Sequence, residues 1–251
     1  MNDAPETMAG LSRTEVDRLE SKDFALGKGP LRPRDAATLI LIDHSGRQPR
    51  VLMGRRSRAH AFMPGKFVFP GGRTDPADAR VKVGSALDPH VESGLCAGRV
   101  TAARARAIAM SAIRETYEEA GLLIGRRHEF STSKPDWQGF AYHGVEPGLD
   151  RLRYVARAET PPGRVRRFDT RFLVAFREDV AVALPGGGPS GELEELVWLE
   201  LPEALEIDIP MITRTVLTAL RTRLEADPGL EAAQPVPFYR MRRNRMLFDP
   251  S

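Results

Sequence analysis

Apolar positions along the chain change period, and the changes mark its elements. Residues 36–42 form an almost unbroken apolar run that predicts a buried strand, closed by the turn residues Asp43-His44-Ser45-Gly46. Residues 51–55 read as its hairpin partner. Residues 56–69 predict a loop leading through Phe67-Val68-Phe69 to the glycine turn Phe69-Pro70-Gly71-Gly72. From Thr101 the period becomes helical. Ala102, Ala109, Ile113, Thr116, Tyr117 and Ala120 gather on one side at about 3.6 residues per turn, and Gly121 stands where a helix stops. Residues 153–158, 170–176 and 193–199 read as strands. The turn Thr160-Pro161-Pro162-Gly163 lies between the first two, and the glycines at 186–188 precede the third. Residues 202–205 predict the first turn of a short helix. Residues 210–226 predict a longer one, with Pro210 in its first turn and Ile212, Val216, Ala219 and Leu220 at near-helical spacing.

Two stretches have little periodicity. Residues 73 to about 100, with Asp75-Pro76, Asp88-Pro89 and several glycines, read as a surface excursion, either a lid beside the glycine turn or an ornament. Residues 125–150, with Trp137, Phe140 and Tyr142, read as irregular. Strands mixed with two main helices suit an α+β sandwich. The expected organisation is an N-terminal extension over residues 1–35, mobile at its start and with a short helix near residues 14–21. One domain follows over 36–251, with the insertion at about 73–100 and a basic tail at about 235–251. No internal repeat or heptad interrupts this order.

Composition changes little in that picture. With 251 residues, 41% hydrophobic and 28% charged, the chain is neither fibrous nor disordered. The net charge of +3 does not argue for nucleic acid, although the 37 cations include only five lysines. Arginine's planar fork suits phosphate, but codon composition explains such an excess equally well. Cys96 is the single cysteine, so no internal disulfide forms and a reducing compartment fits. Without a bilayer-length apolar run or a signal-like N-terminus, the expected location is cytoplasmic and no membrane partner is expected. The tail, residues 238–245, mixes two aromatics with four arginines. It reads either as a stacking and phosphate-binding segment or as a strip packed on its own domain.

The chemistry concentrates in the helix. Glu115, Glu118 and Glu119 lie at i, i+3 and i+4, so their carboxylates share a face. Three such groups repel one another unless neutralised, and hard cations such as Mg2+ select oxygen donors of this kind. Arg114, four residues before Glu118, is close enough to orient a carboxylate or touch a substrate oxygen. Acidic residues at helical spacing are ordinarily a solvated face; the glycine turn upstream gives these more weight.

Together the two segments resemble the Nudix hydrolase signature, G-x5-E-x7-R-E-U-x-E-E-x-G-U with U aliphatic. Gly72 supplies its first glycine, Arg114-Glu115 and Glu118-Glu119 its core, and Gly121-Leu122 its end. Residues 73–113, 41 in all, stand where the signature has 13, leaving 28 extra; counting back from Arg114 puts its first acid at Arg106, and Thr116 occupies an aliphatic position. The resemblance implies a Nudix-type α/β/α sandwich with a mixed sheet between helices. It also implies divalent-metal-dependent hydrolysis of a diphosphate joining a nucleoside to another group. Glu115, Glu118, Glu119 and the Gly72 carbonyl would hold Mg2+ or Mn2+, and Glu115, Glu118, Glu119 and Arg114 would form the catalytic set. Which glutamate serves as base stays open, and Glu192, Glu194 and Glu195 are candidates for a further ligand or base.

Leu52 to Ser57, Gly65 and residues 69–72 further resemble the coenzyme A diphosphatase signature, L-L-T-x-R-S-x3-R-x3-G-x3-F-P-G-G. Its internal arginine falls on Ala61, with Arg58 and His60 nearby. Phe62-Met63-Pro64-Gly65, the insertion inside the box and residues 166–172 are similar to the branch containing the peroxisomal nineteenth-type enzyme. The resemblance implies coenzyme A or an acyl derivative as substrate, contacted by Arg56, Ser57, Phe69, Gly71 and Arg167. The alternatives are ADP-ribose, NADH or another nucleotide, or a catalytically silent Nudix-fold binding module, against which the three retained glutamates argue. A small-molecule nucleotide diphosphate is the expected partner, and a homodimer is left open.

Overall fold

The computed structural model describes residues 7–20, 27, 31–57 and 63–250; residues 1–6, Ser21, and the motif positions Arg58, His60, Ala61 and Phe62 lie outside them. In chain order the elements are α1 (Arg13–Leu19), β1 (Arg34–Asp43), β2 (Arg50–Arg56), β3 (Phe67–Val68), β4 (Gly71–Arg73), α2 (Pro89–Cys96) and α3 (Ala102–Ala120). Then come β5 (Leu122–Arg127), α4 (Gln138–Tyr142), β6 (Val145–Pro147), β7 (Arg153–Glu159), β8 (Phe168–Phe176) and β9 (Val180–Ala183). The last are β10 (Leu193–Glu200), α5 (Leu201–Glu206), α6 (Met211–Ala226), β11 (Pro237–Arg242) and β12 (Arg245–Pro250). No described helix is long and apolar enough to cross a membrane.

The main sheet runs β10-β2-β1-β8-β7-β11-β12, with β3 added to β2 and β4 to β1. It is mixed, since β1 runs parallel to β8 and β7 parallel to β11. Residues 36–42 are apolar on both faces because both faces are covered. Leu39 and Leu41 pack under α2 and α3 with Leu95, Ile108 and Ile113, while Ile40 and Ile42 pack under α5 and α6 with Leu205, Val216 and Leu220. The architecture is therefore the expected α/β/α sandwich. β1 meets β2 only at Ile42 and Asp43; toward its start it pairs with β4 instead, through Ala36, Ala37 and Thr38. The glycine turn is thereby wedged between two splayed strands.

Helix α3 starts where Thr101 caps the Arg104 N–H and stops at Gly121, whose φ of 70° is the left-handed conformation of a helix terminus. It is buried over most of its circumference from Ala105 onward; Ala102, expected inside, is exposed in its first turn. The loop before β10 packs backbone on backbone against its end. Ser190 N–H donates to the Glu118 carbonyl at 2.9 Å and Leu184 N–H to the Gly121 carbonyl at 2.8 Å. A Cβ at Gly188 would overlap the Glu118 and Glu119 backbone. Gly188→Ala is therefore expected to lower the stability by about 1–3 kcal/mol, read as a drop in Tm.

The structure adds to or departs from the sequence reading in five places. Residues 73–100 are not a bare surface excursion. Asp75 and Asp88 accept backbone hydrogen bonds as N-caps, with Pro76 and Pro89 opening a 3-10 turn and α2, and Val81, Val91 and Leu95 enter the core. Asp-Pro read as a breaker is here a helix start. Residues 125–150 hold β6, α4 and the end of β5, burying Trp137 and Phe140 and leaving Tyr142 exposed. Strand β9 has no counterpart in the sequence reading. The basic tail is a hairpin, β11–β12, turned by Arg243 and Asn244 at positive φ and added to the sheet beside β7. Its Phe238 ring lies between the guanidiniums of Arg157 and Arg240, 4.1 and 4.6 Å from its centroid, so this aromatic packs on its own sheet. The N-terminal segment is likewise joined to the domain: Val16 is buried in the core, and Arg164 bonds Asp17 at 2.7 Å and Glu20 at 2.9 Å.

Candidate active site

The glycine turn meets the helix where β4 crosses α3. Gly71 N–H donates to Glu119 Oε2 at 2.9 Å. A Cβ at Gly72 would overlap the Glu115 carboxylate, so glycine is the residue that lets this side chain pass the strand. Gly72→Ala is expected to displace the carboxylate, cutting turnover about a hundredfold while the Tm moves little; parallel kinetic and melting assays check this.

Arg114 organises the other carboxylates. Its Nη1 lies 2.8 Å from both Glu115 Oε1 and Glu118 Oε2, and its Nε donates to Asp78 Oδ2 at 3.2 Å. Trp137 Nε1 donates to the other Asp78 oxygen at 2.9 Å. On the cavity side, Arg56 lies 4.0 Å from Glu119 and 3.1 Å from Glu192. Five carboxylates thus gather around two guanidiniums. Burial raises the proton affinity of Glu115, Glu118 and Glu119, and Glu115 adds repulsion on both of the others. Arg114 opposes the rise at Glu118, which still reaches a pKa of about 7. The Gly71 N–H and Arg56 oppose it at Glu119 without bringing it back to the ordinary carboxylate range.

Such an excess of buried negative charge, built from oxygen donors alone, fits a hard divalent cation. Among the described residues no three acidic side chains converge on one point, because Arg114 draws Glu115 and Glu118 to itself while Gly71 holds Glu119.

The carboxylates open into a cavity of about 560 Å3 on the α6 side of the sheet. Glu115, Glu119, Gly71, Gly72, Phe69 and Arg56 line it, together with Glu192, so these expected residues are brought together. Glu118 is not among the lining residues but joins the cluster through Arg114. Ser57 is also off the lining; its N–H donates to the Glu192 carbonyl at 3.1 Å, fixing the backbone just ahead of β10. Arg167, expected on substrate phosphate, is turned away and held by Glu159 at 2.6 Å, the Thr160 carbonyl at 2.9 Å and the Leu31 carbonyl at 2.6 Å. Of the late acidic triplet only Glu192 enters the cavity; Glu194 is exposed, and Glu195 is spent on Arg55 at 3.0 Å. Of residues 73–100 only Arg73, in β4, lines the cavity, so the rest of that segment does not cover it.

Asp78 was not among the expected site residues. The backward count to Arg106 misplaces the first acid of the signature, since Arg106 only donates to the Ala79 and Val81 carbonyls. The acid bonded to Arg114 is Asp78, which follows Gly72 by the same five-residue gap when the count runs forward. The 28 extra residues therefore lie between Asp78 and Arg114. Trp137 carried no signal of its own beyond being a large residue able to pair its N–H when buried.

Comparison with known proteins follows the same lines. The family model described as NUDIX domain matches residues 32–220. The chain is 28% identical over 196 residues to "Putative nudix hydrolase 7" of Caenorhabditis elegans, a match covering 73% of this chain and 57% of that protein. The chain thus spans little more than half the length of this relative. A NUDIX hydrolase of Alicyclobacillus acidocaldarius of known crystal structure is 27% identical, with a TM-score of 0.58 over 80% of this chain and 96% of that one.

Proposed function

Because the chain belongs to the NUDIX domain family, we propose that it hydrolyses the diphosphate linkage of a nucleoside diphosphate derivative with the help of a divalent metal ion. The observation that carries this is the cluster of carboxylates gathered by Arg114, Arg56 and the Gly71 N–H, opening beside the glycine turn into a cavity of about 560 Å3. Glu115, Glu118 and Glu119, with the Gly72 carbonyl, would hold Mg2+ or Mn2+. Bound there, the ion supplies positive charge for the diphosphate and acidity to a water. Arg114 keeps Glu115 and Glu118 together, and Asp78 with Trp137 keeps Arg114 in place. Glu119 or Glu192, which with Glu115 line the cavity wall and unlike Glu115 are not held by Arg114, would take a proton from water. The water oxygen then bonds phosphorus, the anhydride P–O bond breaks, and the departing phosphate keeps the electron pair.

Coenzyme A or an acyl derivative is the substrate this reading favours. Support comes from the match of Arg56, Ser57, Gly65 and residues 69–72 to that signature, and from a cavity whose walls include Phe69, Phe168 and Phe172. The test is mass spectrometry of products formed with Mg2+ or Mn2+ from coenzyme A, acetyl-coenzyme A, ADP-ribose, NADH and dATP, with Glu119→Gln as control. Adenosine 3′,5′-bisphosphate and a phosphopantetheine are expected from coenzyme A. Cleavage of a different compound alone would replace the substrate, and no cleavage by folded, metal-loaded protein would overturn the hydrolase reading.

A further inference from the structure

Among the described residues three arginines line the cavity, and they differ in their surroundings. Arg56 faces Glu119 and Glu192. Arg73 follows Gly72 directly and belongs to the diphosphate end; its carbonyl accepts from Arg114, and its guanidinium has no carboxylate partner among the described residues. Arg166 is exposed on the opposite wall, and among the described residues it has no carboxylate partner. Its neighbours in the turn are all spent: Arg164 on Asp17 and Glu20, Arg167 on Glu159. Of that arginine cluster, Arg166 alone is turned to the cavity with its charge unneutralised.

The sheet register gives the separation. Gly72 pairs with Ala37, which pairs with Arg171, so Gly72 lies two strand spacings from β8. Phe168 is three residues further along β8, which places it roughly 14 Å from Gly72. Arg166 precedes Phe168 by two residues, in the turn that enters β8, and lines the same cavity. Between the ends, Phe168, Phe172 and Ile212 provide an apolar wall. A ligand filling this space would meet negative charge and its metal at one end, an apolar middle, and an unpaired guanidinium at the other.

We propose that Arg166 is a specificity-determining residue that binds a second anionic group of the substrate, a phosphate on the ribose, apart from the diphosphate at the glycine turn. This rests on the proposed placement of the diphosphate beside Gly72. A charge-assisted hydrogen bond from arginine to phosphate accounts for the preference. The same chemistry fits a 3′-phosphate, as in coenzyme A, or a 2′-phosphate, as in NADPH.

Calorimetry without metal tests the proposal independently of turnover, with AMP, adenosine 3′,5′-bisphosphate and adenosine 2′,5′-bisphosphate as probes. In the wild type one bisphosphate is expected to bind about tenfold more tightly than AMP. In Arg166→Ala that gain disappears while AMP binding stays, and Arg166→Lys keeps part of it; whichever bisphosphate shows the gain identifies the phosphate position. In hydrolysis, KM for coenzyme A rises in Arg166→Ala, while KM for dephospho-coenzyme A and both kcat values hold. Equal affinity for AMP and both bisphosphates in the wild type, or an undiminished gain in Arg166→Ala, overturns the proposal. Failure of the hydrolase reading appears separately, as intact binding without products.

Discussion

Glu119→Gln is expected to cut hydrolysis about a thousandfold and, in the same molecule, to make the metal-free protein more stable at alkaline pH. The first effect follows from removing a carboxylate that lines the cavity, faces Arg56 and accepts from Gly71. The second follows from linkage. Burial, with repulsion from Glu115 and Glu192, lifts the Glu119 pKa above its ordinary value of 4.5 in the folded state. A group whose folded pKa is raised contributes stability that is fully present below the unfolded value and lost as pH rises through the folded one. Glu118, at about 7, acts in the same direction. The Tm of the metal-free wild type should therefore decline from about pH 5 to pH 9, and Glu119→Gln should decline less. Mg2+ should recover the wild type at pH 8 more than the variant. A wild-type Tm that is flat across this range would refute the electrostatic account, whatever happens to turnover.

Asp78→Ala is expected to cost about 3–5 kcal/mol of stability, the range for breaking one side of a buried ion pair. The carboxylate is buried with Arg114, and its loss strands both the guanidinium Nε and the Trp137 indole N–H. Asp78→Asn, which keeps an acceptor, should lose less. Activity should fall in both because Arg114 is the group that holds Glu115 and Glu118. Chemical denaturation with kinetics on the surviving folded fraction separates the two effects. An Asp78→Ala protein of wild-type stability would show that Arg114 is anchored by its glutamates alone.

The apolar runs located the central strands because a strand covered on both faces has no polar alternation to confuse the reading, as at residues 36–42. The helix was equally legible, since Thr101 and Gly121 bound a long segment of strong helix formers. Less visible were elements whose signal is a single cap. Asp75-Pro76 and Asp88-Pro89 look like interruptions until the aspartate side chain is seen to accept from the N–H groups that follow. For the site, side-chain chemistry identified the carboxylates and the glycine turn, but nothing in the sequence separates Arg166 from Arg167. Neighbours in a turn point in different directions, and the partner Glu159 that claims Arg167 belongs to another strand.

The pairing of Asp78 with Arg114 has an evolutionary consequence. It clips together the two ends of the intervening 35 residues, so the spacing of the reactive groups does not depend on how long that segment is. Closure entropy grows only slowly with length, so descendants of this chain can lengthen or redecorate the exposed turns on either side of α2 at small energetic cost, while Val81, Val91, Leu95 and the start of α3 stay in the core. Those turns are the adjustable part of a segment hung from a fixed clasp, a place where new surface can be acquired while the carboxylates stay in register.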